Sequence, residues 1–134
     1  MIFGIGTDIV EIGRIRGVVS RFGDRFAHRI LGTREMERYR YRRAHSEERG
    51  IKYLATRFAA KEAVSKALGL GMRMPMTWKA VEIVNDPSGR PVAFVSSVEL
   101  RQFTERRRLR LHVSVSDERE IAMAYAIAEV QGSS

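Results

Sequence analysis

The order of its segments marks this chain as an α+β protein: a mainly antiparallel sheet packed against one long helix and several shorter helices. Three observations carry that expectation. A β-branched run opens the chain, a stretch without proline and with helical spacing follows as far as Pro75, and the last third alternates apolar and polar residues between turns. A doubly wound parallel sheet would instead interleave strands and helices throughout.

Residues 2–10 form the opening strand, which contains Gly4, Gly6 and one anomaly, Asp8. Residues 11–22 read as a helix with Arg14, Val18, Arg21 and Arg25 spaced along one face. A short apolar piece, residues 26–31, leads to a charged helix over 34–43 with Thr33 as its N-cap. Ser46 opens the longest helix, with Glu47 and Glu48 at its positive end and Gly69 and Gly71 as its stops. Residues 79–85 alternate as a strand, Asp86 to Gly89 make a turn, and residues 91–95 form a short strand. Ser96 or Ser97 caps a helix reaching about Arg107. Leu109, Leu111, Val113 and Val115 alternate with polar residues as a half-buried strand, and residues 117–120 turn the chain. Residues 121–130 are apolar on both faces, one of them smooth with Ala122, Ala124, Ala126 and Ala128, as in a strand covered on both sides at a subunit contact. Residues 131–134 read as a mobile tail, and the whole chain, 1–134, as one domain without repeats or a linker.

Composition excludes several kinds of chemistry. With no cysteine there is no disulfide framework, thiolate nucleophile or cysteine-bound zinc. No apolar run has membrane-span length, and the first residues do not resemble a signal peptide, so a cytoplasmic protein is expected. The net charge of +8 predicts an anionic partner. Arginine supplies 20 of the 24 basic residues, and 11 of them fall between Arg14 and Arg49 against five acids. Nucleic acid, an anionic membrane surface, an acidic protein and a phosphate-rich small molecule all fit that charge.

Familiar motifs fail. Gly4-Ile5-Gly6 begins like a dinucleotide fingerprint, but position 9 is Ile. There is no Walker A sequence and no zinc helix, and His28, His45 and His112 stand alone. Two features remain. Asp8 sits among Ile5, Ile9 and Val10, where a carboxylate needs hydrogen bonds, a cation or exposure; capping the next helix is the plainest explanation. Glu62 and Lys66 continue a helical stripe begun by Ile51, Ala55 and Phe58, all within about 40° at 100° per residue. An i,i+4 ion pair accounts for them on helical geometry alone. An acid beside a lysine on an apolar stripe is also what phosphate–metal chemistry uses, the acid holding the ion and the lysine neutralising a phosphate oxygen. Arg57 and Lys61, one turn apart, read as a solvated basic face, and the cluster Arg106-Arg107-Arg108 with Arg110 as a helix end.

Two segments reorder these readings. GIGTDIVEIGRI, residues 4–15, and RFAAKEAVSKALGLG, residues 57–71, resemble the two signature motifs of the holo-acyl-carrier-protein synthase family of 4′-phosphopantetheinyl transferases. RFAHRIL at 25–31, the turn Gly89-Arg90-Pro91 and HVSVSDERE at 112–120 extend the resemblance over essentially the whole chain. The resemblance implies transfer of 4′-phosphopantetheine from coenzyme A to a serine of acyl carrier protein, with release of adenosine 3′,5′-bisphosphate. It implies Asp8 and Glu62 as Mg²⁺ ligands, and Lys66 at the reacting phosphates. Arg57, Lys61 and Ser65 would line the coenzyme pocket, with Gly69 and Gly71 shaping its loop. Arg14, Arg21, Arg25 and Arg29 would meet an acidic carrier protein. It also implies a homotrimer with active sites between subunits. Where some members have histidine this chain has Asp117, so the base stays open among Asp117, Glu62 and a water on the metal. The expectation is thus an enzyme with acidic protein and coenzyme A as partners, and no nucleic acid or membrane. The alternative, a basic nucleic-acid-binding module without catalytic activity, explains the charge but neither Asp8 nor Glu62, and the aromatics do not interleave with the basic runs.

Overall fold

The computed structural model describes residues 1–132. In chain order these are β1 (Ile2–Glu11), α1 (Ile12–Phe22), α2 (Asp24–Ile30), α3 (Thr33–His45), α4 (Glu47–Ala67), β2 (Val81–Asn85), β3 (Pro91–Val95), α5 (Val98–Arg106), β4 (Leu109–Asp117) and β5 (Ile121–Val130). The fold is α+β with antiparallel strands, as expected, but the strands make two sheets. One has the order β1-β5-β4, and the other is the hairpin β2-β3. In the first sheet β5 is central: Ala124 faces Asp8 of β1 on one side and Val115 of β4 on the other. β1 and β4 are therefore its opposite edges.

Helix α4 lies across the inner face of this sheet, and both surfaces are built from very small residues. Ala122, Ala124, Ala126 and Ala128 are buried against it, as are Ala59, Ala60, Ala63 and Ala67 of the helix. The approach is closest at β1. A Cβ on Gly4 would stand 2.0 Å from the Ala67 carbonyl oxygen, and one on Gly6 would stand 1.9 Å from that of Ala63. Glycine is required at both positions because the helix backbone occupies the space of a side chain. The other side of α4 is covered by α1, α3 and β2, which explains its lack of an exposed polar face.

The ends of α4 follow local signals. Ser46 Oγ accepts the Arg49 N–H at 3.4 Å. Gly69 and Gly71, at φ 74° and 64°, turn the chain so that the N–H groups of Leu70 and Gly71 return to the Ser65 carbonyl. Elsewhere the structure departs from expectation. The apolar piece before α3 is the core of the short helix α2, which buries Ala27 and Ile30. Thr33 is the first residue of α3 rather than its cap. Gly32 holds the cap position, and the Glu82 carboxylate of β2 reaches the Arg34 N–H at 3.0 Å and the Glu35 N–H at 3.4 Å. Glu35 Oε1 also accepts the Gly32 N–H at 2.9 Å, so one local and one distant carboxylate hold the positive end of the helix. Strand β4 extends through Asp117, one residue into the expected turn.

The outer face of the three-stranded sheet is not covered by the described residues. Ile5 is 66% exposed, Ile9 60% and Tyr125 52%, with Ile121 and Ile127 beside them. Of the cover expected on both sides of β5, the described residues supply one side, and the side expected at a subunit contact faces out of the single chain. Among the described residues no helix is long and apolar enough to cross a membrane. Of the expected tail, residues 131–132 lie outside any helix or strand, and residues 133–134 are outside the described residues.

Candidate active site

Asp8 and the Glu62–Lys66 stripe meet at the β1 edge of the sheet, although 54 residues separate Asp8 from Glu62. The two glycines make this possible. They let α4 settle onto β1, and Asp8, next on the same face, comes to the helix turn that carries Glu62 and Lys66. The Lys66 ammonium donates to the Thr7 carbonyl at 2.9 Å and to Asp8 Oδ1 at 3.2 Å. Among the described residues it makes no ion pair with Glu62, so the i,i+4 bridge that helical geometry suggests is replaced by a bridge to another strand. Nor does Asp8 cap α1: the cap residue is Glu11, without a side-chain bond.

The carboxylate of Glu62 accepts no hydrogen bond from the described residues. Burial, and next the charge of Asp8, push its pKa above the usual glutamate value, while Lys66 opposes the shift. Two carboxylates with one lysine leave a site short of positive charge. Among the described residues no group of three or more metal-ligating side chains gathers. The donor set is therefore an acidic pair rather than a protein cage. It suits a hard cation that completes its shell with water and phosphate oxygens, as Mg²⁺ commonly does.

Other expected site residues lie elsewhere. Lys61 and Ser65, expected along the coenzyme pocket, are buried within the single chain. Lys61 is 0% exposed, with Nζ bonded to Glu35 Oε1 at 2.6 Å, the Ile30 carbonyl at 2.6 Å and the Trp78 carbonyl at 2.7 Å. Ser65 is buried, and its hydroxyl donates to the Glu62 carbonyl at 2.7 Å. Both face away from solvent because α4 is covered on two sides. Gly69 and Gly71 form the loop just past Lys66, at the same end of the helix.

Arg57 is buried rather than on a solvated face, and it lies at the other edge of the sheet. Its guanidinium donates to the Ile83 carbonyl at 3.1 Å and to Asn85 Oδ1 at 2.6 Å, and it stacks 4.3 Å from the Tyr53 ring. It lines a pocket of about 530 Å³ with Arg38, Tyr41, Arg42, Arg49, Lys52 and Tyr53, closed on one side by Val115 and Asp117 of β4. Burial pushes the Tyr53 hydroxyl up to about 12, so that ring stays neutral among the cations. Sequence reading did not anticipate this pocket. Its trace is the i,i+4 spacing of Arg38 with Arg42 and of Arg49, Tyr53 and Arg57, but nothing local indicates that α3 and α4 turn those faces toward each other.

Arg14 and Arg21 are exposed on α1, and Arg25 and Arg29 on α2. Among the described residues none of the four is ion-paired. Arg25 and Arg29 border a shallow pocket with Val18, Phe22 and Phe26, and Phe22 is 48% exposed. Apolar side chains ringed by unpaired arginines form a surface suited to an acidic amphipathic partner.

Comparison with known proteins gives this architecture its class. The 4′-phosphopantetheinyl transferase superfamily matches residues 4–128. A holo-[acyl-carrier-protein] synthase of Cupriavidus metallidurans is 56% identical over 132 residues, 98% of this chain and 92% of its own length. The crystal structure of the holo-[acyl-carrier-protein] synthase from Neisseria meningitidis superposes with a TM-score of 0.86 at 38% identity, covering 96% of this chain and 99% of that one. That from Bacillus anthracis, solved in complex with CoA (3′,5′-ADP), gives 0.80 at 33% identity, covering 98% and 99%. The chain belongs to the 4′-phosphopantetheinyl transferase superfamily. Within it, identity above one half over nearly the full length assigns the chain to the holo-[acyl-carrier-protein] synthase family. The nucleic-acid-binding alternative finds no support among these relatives.

Proposed function

We propose that this chain transfers 4′-phosphopantetheine from coenzyme A to a serine hydroxyl of apo-acyl carrier protein, releasing adenosine 3′,5′-bisphosphate, in the service of fatty acid biosynthesis. The observation that carries the reading is the meeting of Asp8, Glu62 and Lys66, where Glu62 has no side-chain partner among the described residues and Lys66 bridges to the strand. Asp8 and Glu62 would hold Mg²⁺, which would supply positive charge against the pyrophosphate of coenzyme A. Lys66 places its ammonium beside the same phosphate oxygens and stabilises the bisphosphate as it leaves. Positioning and charge neutralisation account for most of the catalysis of such a transfer, so a short list of residues suffices.

The basic pocket beside β4 suits the 3′,5′-bisphosphate end of coenzyme A, with Arg38, Arg42 and Arg49 for the phosphates and Tyr53 and Tyr41 for the base. Asp8 and that pocket border opposite edges of one three-stranded sheet, so within one chain the width of the sheet lies between them. A ring in which the β1 edge of one subunit meets the β4 edge of the next would join them. Such a head-to-tail contact closes into a cyclic oligomer, here a trimer. The exposed face of Ile5, Ile9, Ile121, Tyr125 and Ile127 supports burial between copies.

The test is a mass measurement. Purified protein with Mg²⁺ and coenzyme A is expected to add about 340 Da, the mass of the phosphopantetheine group, to apo-acyl carrier protein. No adduct with several carrier proteins would overturn the reading. The exposed arginines of α1 and α2 have a separate expected result. Arg14→Ala raises KM for carrier protein with little change in kcat, and weakens the dependence of kcat/KM on salt concentration. A salt dependence equal to that of the parent would remove Arg14 from the docking surface.

A further inference from the structure

We infer that Lys61 and Glu35 are positioning residues, a buried tripod that sets the roll of α4 and thereby aims Glu62 and Lys66 at Asp8. The inference rests on the function proposed for those three residues. Lys61 directly precedes Glu62, so the two side chains leave the helix about 100° apart, one toward the interior and one toward the β1 edge. The three donors of the Lys61 ammonium go to three different segments: the last carbonyl of α2 at Ile30, the Glu35 carboxylate in the first turn of α3, and the Trp78 carbonyl before β2. Glu35 is held in turn by the N–H groups of Gly32 at 2.9 Å and Ile83 at 2.8 Å. Both side chains are 0% exposed.

Stability alone does not call for this arrangement, because a buried ion pair is commonly matched or bettered by apolar residues of similar volume. Its geometry gives what the sheet-facing side of α4 lacks. Toward the sheet the helix presents alanines to glycines and alanines, surfaces too smooth to interlock against rotation. A roll of about 10° would shift a carboxylate roughly 6 Å from the helix axis by about 1 Å. A misplacement of that size is enough to lower a rate about 10²-fold. The Lys61 tripod resists that roll from behind, and it also holds the end of α2 and the segment following Gly69 and Gly71 to the same point.

The test compares the parent with Lys61→Met and with the double variant Lys61→Met/Glu35→Gln, which removes the pair without stranding a buried charge. Folding is followed by circular dichroism and melting temperature. Mn²⁺ affinity is measured by titration in the presence of adenosine 3′,5′-bisphosphate, and kcat and KM by transfer to carrier protein. Whichever variants fold are expected to bind Mn²⁺ about 10-fold more weakly. They should lose about 10²-fold in kcat, with KM for carrier protein changed far less. A folded variant with the cation affinity and kcat of the parent overturns the inference while leaving the proposed function intact. Failure of the parent itself to bind Mn²⁺ and to transfer the group overturns the function and, with it, this inference. Loss of folding in both variants also overturns it, because the pair would then be structural.

Discussion

Glu62→Gln is expected to lower kcat by about 10²-fold or more while leaving the free protein at least as stable as its parent. The two halves of that outcome have one cause. Burial and the charge of Asp8 raise the pKa of Glu62, so the folded chain disfavours the ionised carboxylate. The sign follows directly. As pH rises from the ordinary glutamate value of 4.5 through the raised value of the folded state, the parent loses stability relative to the unfolded chain, where ionisation carries no such penalty. Glutamine has the shape of the neutral acid at every pH, so the variant avoids the penalty and loses the charge that holds the cation. Thermal melts across that pH range check the first half, and single-turnover transfer checks the second. Added Mg²⁺ with coenzyme A should raise the melting temperature of the parent more than that of the variant, which keeps only the basic pocket. A variant that melts well below the parent in the absence of metal, or that turns over at the parental rate, would remove Glu62 from the metal site.

Mixing two inactive proteins should restore activity. Glu62→Gln disables the β1-edge half of the site, and Arg49→Glu disables the basic pocket beside β4. If each site takes one half from each of two neighbouring subunits, every homo-oligomer of either variant is dead. In a ring assembled at random from equal amounts, about one site in four joins two intact halves. Co-expression of the two variants should therefore give roughly a quarter of parental activity. Sites confined to single chains would stay inactive in the mixture, so a null result decides against the shared site.

What could be read from the residues alone was whatever is set locally. Alternation fixes the faces of β4, and the β-branched run fixes β1. Ser46 and the pair Gly69 and Gly71 bound α4 because the signals lie within one turn of its ends. The short helix α2 has too few residues to display a period. The Arg34 and Glu35 N–H groups of α3 are capped by Glu82, 48 residues beyond Arg34, and no window on the chain contains both. The site divides in the same way. The motifs brought Asp8 and Glu62 together as residues of interest, but not the choice Lys66 makes between a carboxylate four residues back and one 58 residues back. Lys61 shows the opposite limit. It belongs to the same motif and would be read as a ligand-binding cation, yet the elements packed over its face of α4 enclose it with Glu35.

The contact of α4 with β1 has a consequence for how this chain can change. In a scan of every substitution, residues of highest chemical interest usually tolerate least. Here the most intolerant positions should include the two plainest. Even Ala at Gly6 would put a methyl group 1.9 Å from a helix carbonyl. That overlap can be relieved only by moving the helix that carries Glu62 and Lys66, so a single added carbon would reach the chemistry from beneath. The floor under Glu62 and Lys66 leaves no room for an added side chain.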